Sequence, residues 1–151
     1  MNYHLPQGEI DINTIVFDLN GTLSEYGAIN SETKQWIKQL KKLGFKLIML
    51  TSDQRGNAYE IANSLQIDYH VAKTSMDKQK FVEQLQEPFF AIGNARNDIP
   101  MFRKAAISFA TLQSEGIHPE IINSVDVVVP SIANAFHLIA DENGLISTMK
   151  I

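Results

Sequence analysis

The stretch Thr14–Gly27, TIVFDLNGTLSEYG, decides the fold. Its first residues form a short apolar run that ends at Asp18, and Asn20 follows where a second acid would make a paired-carboxylate site. A short, continuously apolar run is typical of a strand that is buried on both faces of a parallel sheet. The stretch therefore predicts a buried strand that brings Asp18 to the carboxyl edge of a sheet.

The rest of the chain repeats this pattern, because short apolar runs alternate with longer amphipathic stretches. This alternation predicts an α/β fold: a three-layer, Rossmann-like, doubly wound parallel sheet in one domain over residues 1–151. The predicted strands are Thr14–Leu19, Phe45–Thr51, Tyr69–Ala72, Phe89–Ile92, Ile107–Ala110 and Asp126–Val129. The predicted helices are Ser31–Leu43, Asn57–Leu65, Asp77–Gln86, Asp98–Ala105, Pro119–Ser124 and Ile132–Ala140. Residues 1–12 are expected to add a small N-terminal hairpin from Tyr3.

Composition excludes several classes of function. A formal net charge of -4 argues against a nucleic-acid surface, which needs clustered Lys and Arg. The absence of cysteine excludes disulfides, thiolate metal sites and thiol nucleophiles, so any metal must use oxygen or histidine ligands. The first residues lack the pattern of a secretory signal, and no apolar run approaches the ~20 residues of a membrane helix. We expect a cytoplasmic protein without membrane contact.

Polar residues follow three of the predicted strands. Asp18 ends the first, Thr51 and Ser52 end the second, and IGNARND at Ile92–Asp98 ends the fourth, while Lys78 begins a helix between them. Doubly wound sheets bind ligands at the carboxyl ends of their strands. A carboxylate, a hydroxyl, a lysine and a second carboxylate would together suit phosphoryl transfer, although each alone also occurs as a cap or turn residue.

Four motifs in this order resemble the haloacid dehalogenase superfamily. They are DLNGTL at Asp18–Leu23, TSD at Thr51–Asp53, DKQKFV at Asp77–Val82 and GNARND at Gly93–Asp98. Within the superfamily, the resemblance is closest to the phosphorylation core of P-type ATPases and to the capless hydrolases described as soluble P-type ATPase-like.

The resemblance implies a role for each matching residue. Asp18 would be the nucleophile that becomes an aspartyl phosphate, and Asn20 would stand at the acid/base position. The phosphoryl group would be bound by Gly21, Thr51, Ser52 and Lys78. Mg²⁺ would be held by Asp18, Asn20 through its backbone carbonyl, Asn94 and Asp98. Lys73, at a strand end, matches the lysine motif less well than Lys78.

Two amides replace acids that the superfamily pattern carries. Asn20 cannot donate or accept the proton that its usual aspartate handles, and loss of such help costs ~10²–10⁴-fold. We therefore expect slow hydrolysis of phosphomonoesters and a smaller penalty for good leaving groups. Asn94 can still offer Mg²⁺ a carbonyl oxygen, but metal affinity should fall because it depends on ligand charge. Ala95 replaces a glycine of the pattern.

The gaps from Asp18 to Ser31 and from Thr51 to Lys78 are too short to hold a cap domain. An open site predicts a phosphorylated substrate that is small or macromolecular, or a homo-oligomer in which a neighbouring subunit acts as a lid.

Two other interpretations remain open at this stage. One is a catalytically weakened module that keeps the fold and binds phosphate, Mg²⁺ or a protein partner. The other is a two-component receiver domain. It is poorly supported, because its acidic pair is absent and the Asp here ends the first strand rather than the third.

Overall fold

The computed structural model describes all 151 residues, Met1–Ile151. Six parallel strands form one sheet, and two antiparallel strands form a separate N-terminal hairpin. The hairpin strands are β1 (Asn2–Leu5) and β2 (Gly8–Asp11), and the sheet strands are β3 (Thr14–Phe17), β4 (Lys46–Thr51), β5 (Asp68–Val71), β6 (Phe89–Gly93), β7 (Ile107–Thr111) and β8 (Val127–Val129). The order across the sheet is β5-β4-β3-β6-β7-β8. The predicted parallel α/β fold is confirmed.

Six α-helices cover the sheet. They are α1 (Ser31–Lys42), α2 (Ala58–Leu65), α3 (Ser75–Glu83), α4 (Ile99–Lys104), α5 (Ile132–Ala140) and α6 (Glu142–Met149), and 3₁₀ turns span Arg96–Asp98 and Pro119–Ser124. None of these helices combines the length and apolar character needed to cross a membrane. There is no separate cap between the strands, as expected.

The two faces of the sheet have separate apolar cores. Along β3, Ile15 and Phe17 belong to a cluster of 25 buried residues that includes the inner faces of α1, α2, α5 and α6. Val16 points the other way, into a cluster of 11 buried residues with α3 and α4. This period of two buries β3 completely, as its continuous apolar sequence predicts.

Two helical predictions were wrong in detail, and one helix was missed. Helix α3 begins at Ser75 rather than Asp77, because Thr74 and Asp77 form a reciprocal capping box that starts the helix earlier. The segment Pro119–Ser124 is a 3₁₀ turn instead of an α-helix. Helix α6 was not predicted, since its eight residues include Gly144 and show a weak amphipathic pattern.

The chain direction explains where the site lies. From β3 the chain moves outward through β4 to β5 and then returns to β6 on the other side of β3. The carboxyl ends of β3 and β6 therefore flank the point where the strand order reverses, which is the usual ligand crevice of this fold.

Candidate active site

Asp18 lies at this crevice, one residue beyond β3. Its backbone N–H donates to the carbonyl of Ile92 on β6 at 3.0 Å, and its own carbonyl accepts from the N–H of Leu23 at 3.3 Å. The Asp18 side chain is 9% exposed. The backbone bonds fix the residue, and the carboxylate remains just accessible to solvent.

Lys78 joins two carboxylates that follow different strands, Asp18 after β3 and Asp98 in the 3₁₀ turn after β6. Its Nζ donates to Oδ1 of Asp18 at 3.1 Å and to Oδ1 of Asp98 at 2.6 Å. The side chains of Lys78 and Asp98 have no solvent exposure. One ammonium faces two carboxylates, so the cluster carries a net negative charge whenever both carboxylates are ionised, and burial makes that charge costly. A divalent cation would relieve this excess.

The cluster shifts the acidity of its members. Burial, followed by the negative charge of Asp98, raises the pKa of Asp18 to about 7, against the opposing attraction of Lys78. Burial acts to lower the pKa of Lys78, but the two carboxylates outweigh it and hold that pKa above its usual range. Lys78 thus stays charged, whereas Asp18 without a metal titrates near neutrality.

Hydrogen bonds fix both carboxylate oxygens of Asp98. Its Oδ1 accepts from Lys78, and its Oδ2 accepts from the backbone N–H groups of Asn94 (3.1 Å) and Ala95 (3.0 Å). A Cβ at Gly93 would lie 2.4 Å from Oδ2, so only glycine leaves room for this carboxylate. The GNARND segment (Gly93–Asp98) therefore folds around the carboxylate of Asp98, which faces Lys78.

Thr51 ends β4, the strand next to β3, and is fully buried. Its Oγ1 accepts from the backbone N–H of Asp53 at 3.0 Å, which leaves its O–H free to donate. Ser52 follows at the rim, and its carbonyl accepts from Nζ of the exposed Lys73 at 3.0 Å. Lys78, not Lys73, is the lysine that contacts Asp18.

The loop that follows Asp18, which we call the 19–28 loop, folds back on itself. A turn at Tyr26 and Gly27, both with positive φ, joins the paired residues Glu25 and Ala28. The side-chain oxygen of Asn20 is buried and has no hydrogen-bond partner. An orphaned buried oxygen two residues after Asp18 in the same loop is a candidate contact for a ligand or its bound water.

Asn94 uses its amide to connect two loops. Its Oδ1 accepts from the hydroxyl of Thr22 at 3.2 Å, and its Nδ2 donates to the carbonyl of Gly116 at 3.0 Å. Gly21 packs directly against this amide, since a Cβ there would lie 2.2 Å from Nδ2. An aspartate could not donate to Gly116. The amide at position 94 thus has a structural use, besides the carbonyl oxygen that was predicted to reach Mg²⁺.

Sequence reasoning missed Glu115, in the loop after β7. Its Oε2 accepts from the backbone N–H groups of Gly21 (3.1 Å) and Tyr26 (2.7 Å), and its Oε1 lies 3.8 Å from a guanidinium nitrogen of Arg55. In return, Glu25 accepts from the backbone N–H of Ser114 at 3.0 Å. These reciprocal bonds hold the 19–28 loop, and no sequence signal marks Glu115 for this role.

The residues at this edge fit a hard divalent cation. Nowhere does the structure bring together three or more His, Cys, Asp or Glu side chains as a metal cluster. Asp18 and Asp98 nevertheless offer two carboxylates, and the unpartnered side-chain oxygen of Asn20, which is distinct from the backbone carbonyl predicted as a ligand, can accept from a metal-bound water. Mg²⁺ binds well to one or two carboxylates with water and substrate oxygens completing its shell.

A family model described as a haloacid dehalogenase-like hydrolase matches residues 24–106, which is more than half of the chain. The matched segment contains Thr51, Lys78 and Asp98 and begins six residues after Asp18.

Two curated relatives show the same likeness. A "Soluble P-type ATPase-like phosphatase" of Methanocaldococcus jannaschii is 27% identical over 127 residues, which cover 80% of this chain and 46% of that protein. The "Copper-transporting ATPase 1" of Rhizobium meliloti is 37% identical over 107 residues, which cover 68% of this chain and 13% of that protein. The chain therefore matches less than half of the length of either relative.

Solved structures show the fold over nearly the whole chain. The cobalt-bound deoxy-D-mannose-octulosonate 8-phosphate phosphatase of Haemophilus influenzae superposes with a TM-score of 0.72 at 16% identity, covering 93% of this chain and 94% of that chain. The corresponding enzyme of Moraxella catarrhalis, in complex with magnesium, phosphate and KDO, gives 0.73 at 15% identity, with 92% and 94% covered. The family model, the relatives and the fold agree: this chain belongs to the haloacid dehalogenase-like hydrolase family.

Proposed function

We propose that the protein is a Mg²⁺-dependent phosphohydrolase or phosphotransferase that works through an aspartyl phosphate on Asp18. The observation that carries the proposal is the buried cluster of Asp18, Lys78 and Asp98 at the switch point of the sheet. A carboxylate nucleophile, a fixed cation and a second carboxylate are the parts that phosphoryl transfer needs.

The bound metal would supply charge neutralisation and orient the phosphoryl oxygens, with Asp18, Asn20, Asn94 and Asp98 as the proposed ligands. Because a cation next to a carboxylate favours its ionised form, Asp18 would be deprotonated in the loaded site.

The chain's own residues then carry the two steps. An Asp18 oxygen forms a bond to phosphorus, and the bond from phosphorus to the leaving oxygen breaks with its electron pair on that oxygen. Lys78, Thr51 and Ser52 stabilise the transferred group, with Gly21 allowing close backbone approach. Water, or an acceptor hydroxyl in phosphotransfer, then attacks the phosphorus, and the bond from phosphorus to the Asp18 oxygen breaks with its electron pair on that oxygen, which regenerates the carboxylate. The proton of the attacking group leaves with the phosphate product or to solvent, since Asn20 cannot take it.

Asn20 sets the substrate preference in this proposal. An amide neither protonates the leaving oxygen nor takes a proton from water. Phosphomonoesters with poor leaving groups should therefore react slowly, while acyl phosphates and phosphoanhydrides, whose leaving groups depart as stable anions, lose less.

We also propose a phosphate-bearing substrate, small or macromolecular, and a cytoplasmic setting without nucleic acid. The absence of a cap over Asp18 supports a site that is open to either size of substrate. The net charge of -4 argues against a polyanionic partner, and the cysteine-free sequence is compatible with a reducing compartment.

Mg²⁺-dependent phosphate release from acetyl phosphate, ATP and p-nitrophenyl phosphate tests the proposal. We expect activity in the order of leaving-group quality, and none for Asp18→Asn. Asp11→Asn is the matched control, because Asp11 lies on the N-terminal hairpin with a 68% exposed side chain and should keep full activity.

Silence of the wild-type protein on all three substrates, together with failure of Asn20→Asp to create activity, would contradict the proposal. That result would favour the second candidate, a module that binds phosphate or Mg²⁺ without turnover. The observation behind this candidate is the structural use of Asn94 in joining Thr22 to Gly116.

A further inference from the structure

Two of the three arginines in the chain lie at one cavity. The sequence contains Arg55, Arg96 and Arg103, and the last two line a cavity of about 550 Å³ between the start of α3 and the segment that joins β6 to α4. The other residues that line it are Ser75, Asn97, Ile99 and Pro100. In a chain with a net charge of -4, this cavity is a local concentration of positive charge, and we call it the arginine cavity.

The two arginines keep most of their hydrogen-bond donors available. Nε of Arg96 donates to Oε2 of Glu120 at 2.9 Å, and the two terminal nitrogens of this guanidinium make no further hydrogen bond. Arg103 is exposed and has no carboxylate within salt-bridge distance. Two guanidinium groups therefore meet a single carboxylate, so one positive charge at the cavity is not balanced.

A buried oxygen at the same cavity also lacks a partner. Oδ1 of Asn97 is buried and accepts no hydrogen bond from any residue of the chain. Buried polar atoms in native proteins are normally hydrogen-bonded, and one that is not needs a partner from outside the chain. A bound ligand, or a water molecule held with it, would supply the missing donor.

This combination of groups fits an anion on a short carbon skeleton. A guanidinium presents its N–H groups in a planar fork that matches the two oxygens of a carboxylate or phosphate. The hydroxyl of Ser75 adds one more donor. Ile99 and Pro100 offer apolar contacts for carbon atoms. The arginine cavity is therefore suited to a carboxylate or phosphate that belongs to a larger molecule.

The arginine cavity adjoins the buried cluster of Asp18, Lys78 and Asp98. Asn97 directly precedes Asp98 in the chain, and Ser75 precedes Lys78 on α3 by about one helical turn, or ~5 Å. An anion in the cavity would thus lie roughly 5–10 Å from a phosphoryl group at Asp18. One small molecule can span this distance.

We propose that the arginine cavity binds a second anionic group, a carboxylate or a phosphate, on the part of the substrate that leaves phosphorus. The inference rests on the proposed function and narrows its substrates to compounds with two anionic groups a few bonds apart. In phosphoryl transfer the leaving oxygen lies opposite the attacking one, so the leaving part points away from Asp18 and toward the open rim. Arg96 and Arg103 at that rim determine specificity, and Asn20 acts separately through leaving-group chemistry.

Isothermal titration calorimetry with two phosphonates in Mg²⁺ tests the proposal. Both 4-phosphonobutyrate and butylphosphonate carry a phosphonate that cannot be transferred, because carbon replaces the leaving oxygen, and only the first has a carboxylate at its other end. We expect the wild-type protein to bind 4-phosphonobutyrate more tightly by about 10-fold or more, as a charged hydrogen bond provides. Equal affinity of the wild type for the two phosphonates overturns the inference.

Arg103→Gln should remove most of this preference. The substitution breaks no ion pair of the chain, so it should bring the affinity for 4-phosphonobutyrate close to that for butylphosphonate and leave the latter unchanged. Lys104→Gln is the matched control, because Lys104 is exposed on the same helix, carries the same charge and does not line the cavity. An Arg103→Gln protein that keeps the full preference, or a Lys104→Gln protein that loses it, overturns the inference.

Butyrate, which lacks the phosphonate, separates a substrate subsite from an independent anion site. It should bind far more weakly than 4-phosphonobutyrate, because it makes no contacts at Asp18 and Lys78. Butyrate that binds as tightly as 4-phosphonobutyrate would show an independent effector site and overturn the inference.

The titrations do not measure catalysis, so failure of this inference and failure of the proposed function can be told apart. Equal binding of both phosphonates, with phosphate release from acetyl phosphate, overturns the inference alone. The expected preference in a protein that releases no phosphate overturns the proposed catalysis alone. Absence of binding by either phosphonate contradicts both.

Discussion

Replacing Asp18 with asparagine should stabilise the metal-free protein at alkaline pH. Burial and the charge of Asp98 raise the pKa of Asp18 from 3.8 to about 7. At about 1.4 kcal/mol per pKa unit, ionising this group in the folded state costs about 4 kcal/mol relative to the unfolded chain. The asparagine side chain is neutral at every pH, so Asp18→Asn removes that cost while keeping the shape of the side chain.

The pH dependence has a definite sign. Because the folded pKa is raised, the folded state binds this proton more tightly, and the associated stability is complete below about pH 4. This contribution to the free energy of unfolding decreases as the pH rises from about 4 to about 7, and it does not change further above that pH. The free energy of unfolding of Asp18→Asn should therefore match that of the wild type near pH 4 and exceed it by up to about 4 kcal/mol at pH 8.

Urea unfolding in EDTA, at a series of pH values between 4 and 8, measures this difference. Asp11→Asn is the control, since Asp11 is exposed and should show no comparable gain at alkaline pH. Added Mg²⁺ should stabilise the wild type more than Asp18→Asn, because the wild type keeps both carboxylates. A wild type that is more stable than Asp18→Asn at pH 8 in EDTA would refute the reasoning.

Three further variants test the surroundings of Asp18. Asn20→Asp should raise the rate on an alkyl phosphomonoester such as glycerol 3-phosphate, whose alkoxide leaving group needs a proton, by ~10²-fold or more and should change acetyl phosphate turnover far less, as steady-state kinetics will show. Equal effects on both substrates would contradict a role for residue 20 as the acid that protonates the leaving group. Glu115→Ala removes the acceptor of the Tyr26 N–H and the second acceptor of the Gly21 N–H, which keeps its bond to the carbonyl of Ser24, and should lower the free energy of unfolding by roughly 1 kcal/mol, while Glu115→Gln, which keeps an acceptor oxygen, should lose less. Gly21→Ala should lower the free energy of unfolding more than Gly44→Ala in denaturant titrations. Both glycines have positive φ, but only Gly21 packs against the Asn94 amide. Equal losses of unfolding free energy would show that backbone strain alone causes the destabilisation.

The four inner strands of the sheet could be predicted because they are buried on both faces; they are β3, β4, β6 and β7. The apolar residues Ile15–Phe17 and Leu47–Leu50 form the bodies of β3 and β4, and the predicted bounds of these strands differ from the structure by one or two residues. The N-terminal hairpin was expected from Tyr3 to Ile12 and occupies β1 and β2. Helix α6 escaped prediction because tertiary packing of Leu145, rather than a strong local pattern, holds it in place.

The residues of the site also fall into those that the sequence predicts and those that it does not. Asp18, Thr51 and Asp98 follow strands, so the topology alone places them at one edge. The contacts of Lys78 depend on where α3 begins, which the Thr74 capping box decides. Glu115 is far from Asp18 in sequence, and its bonds go to backbone groups that carry no side-chain signal.

Detection of a phosphoenzyme tests the central claim most directly. The protein is incubated with acetyl phosphate and Mg²⁺, quenched in acid and analysed by intact mass and peptide mapping, with Asp18→Asn in parallel. We predict one added phosphoryl group on the peptide that contains Asp18, labile to hydroxylamine and absent from Asp18→Asn. Phosphate release by the wild type with label on another residue, or an unchanged yield of phosphoenzyme in Asp18→Asn, would contradict it.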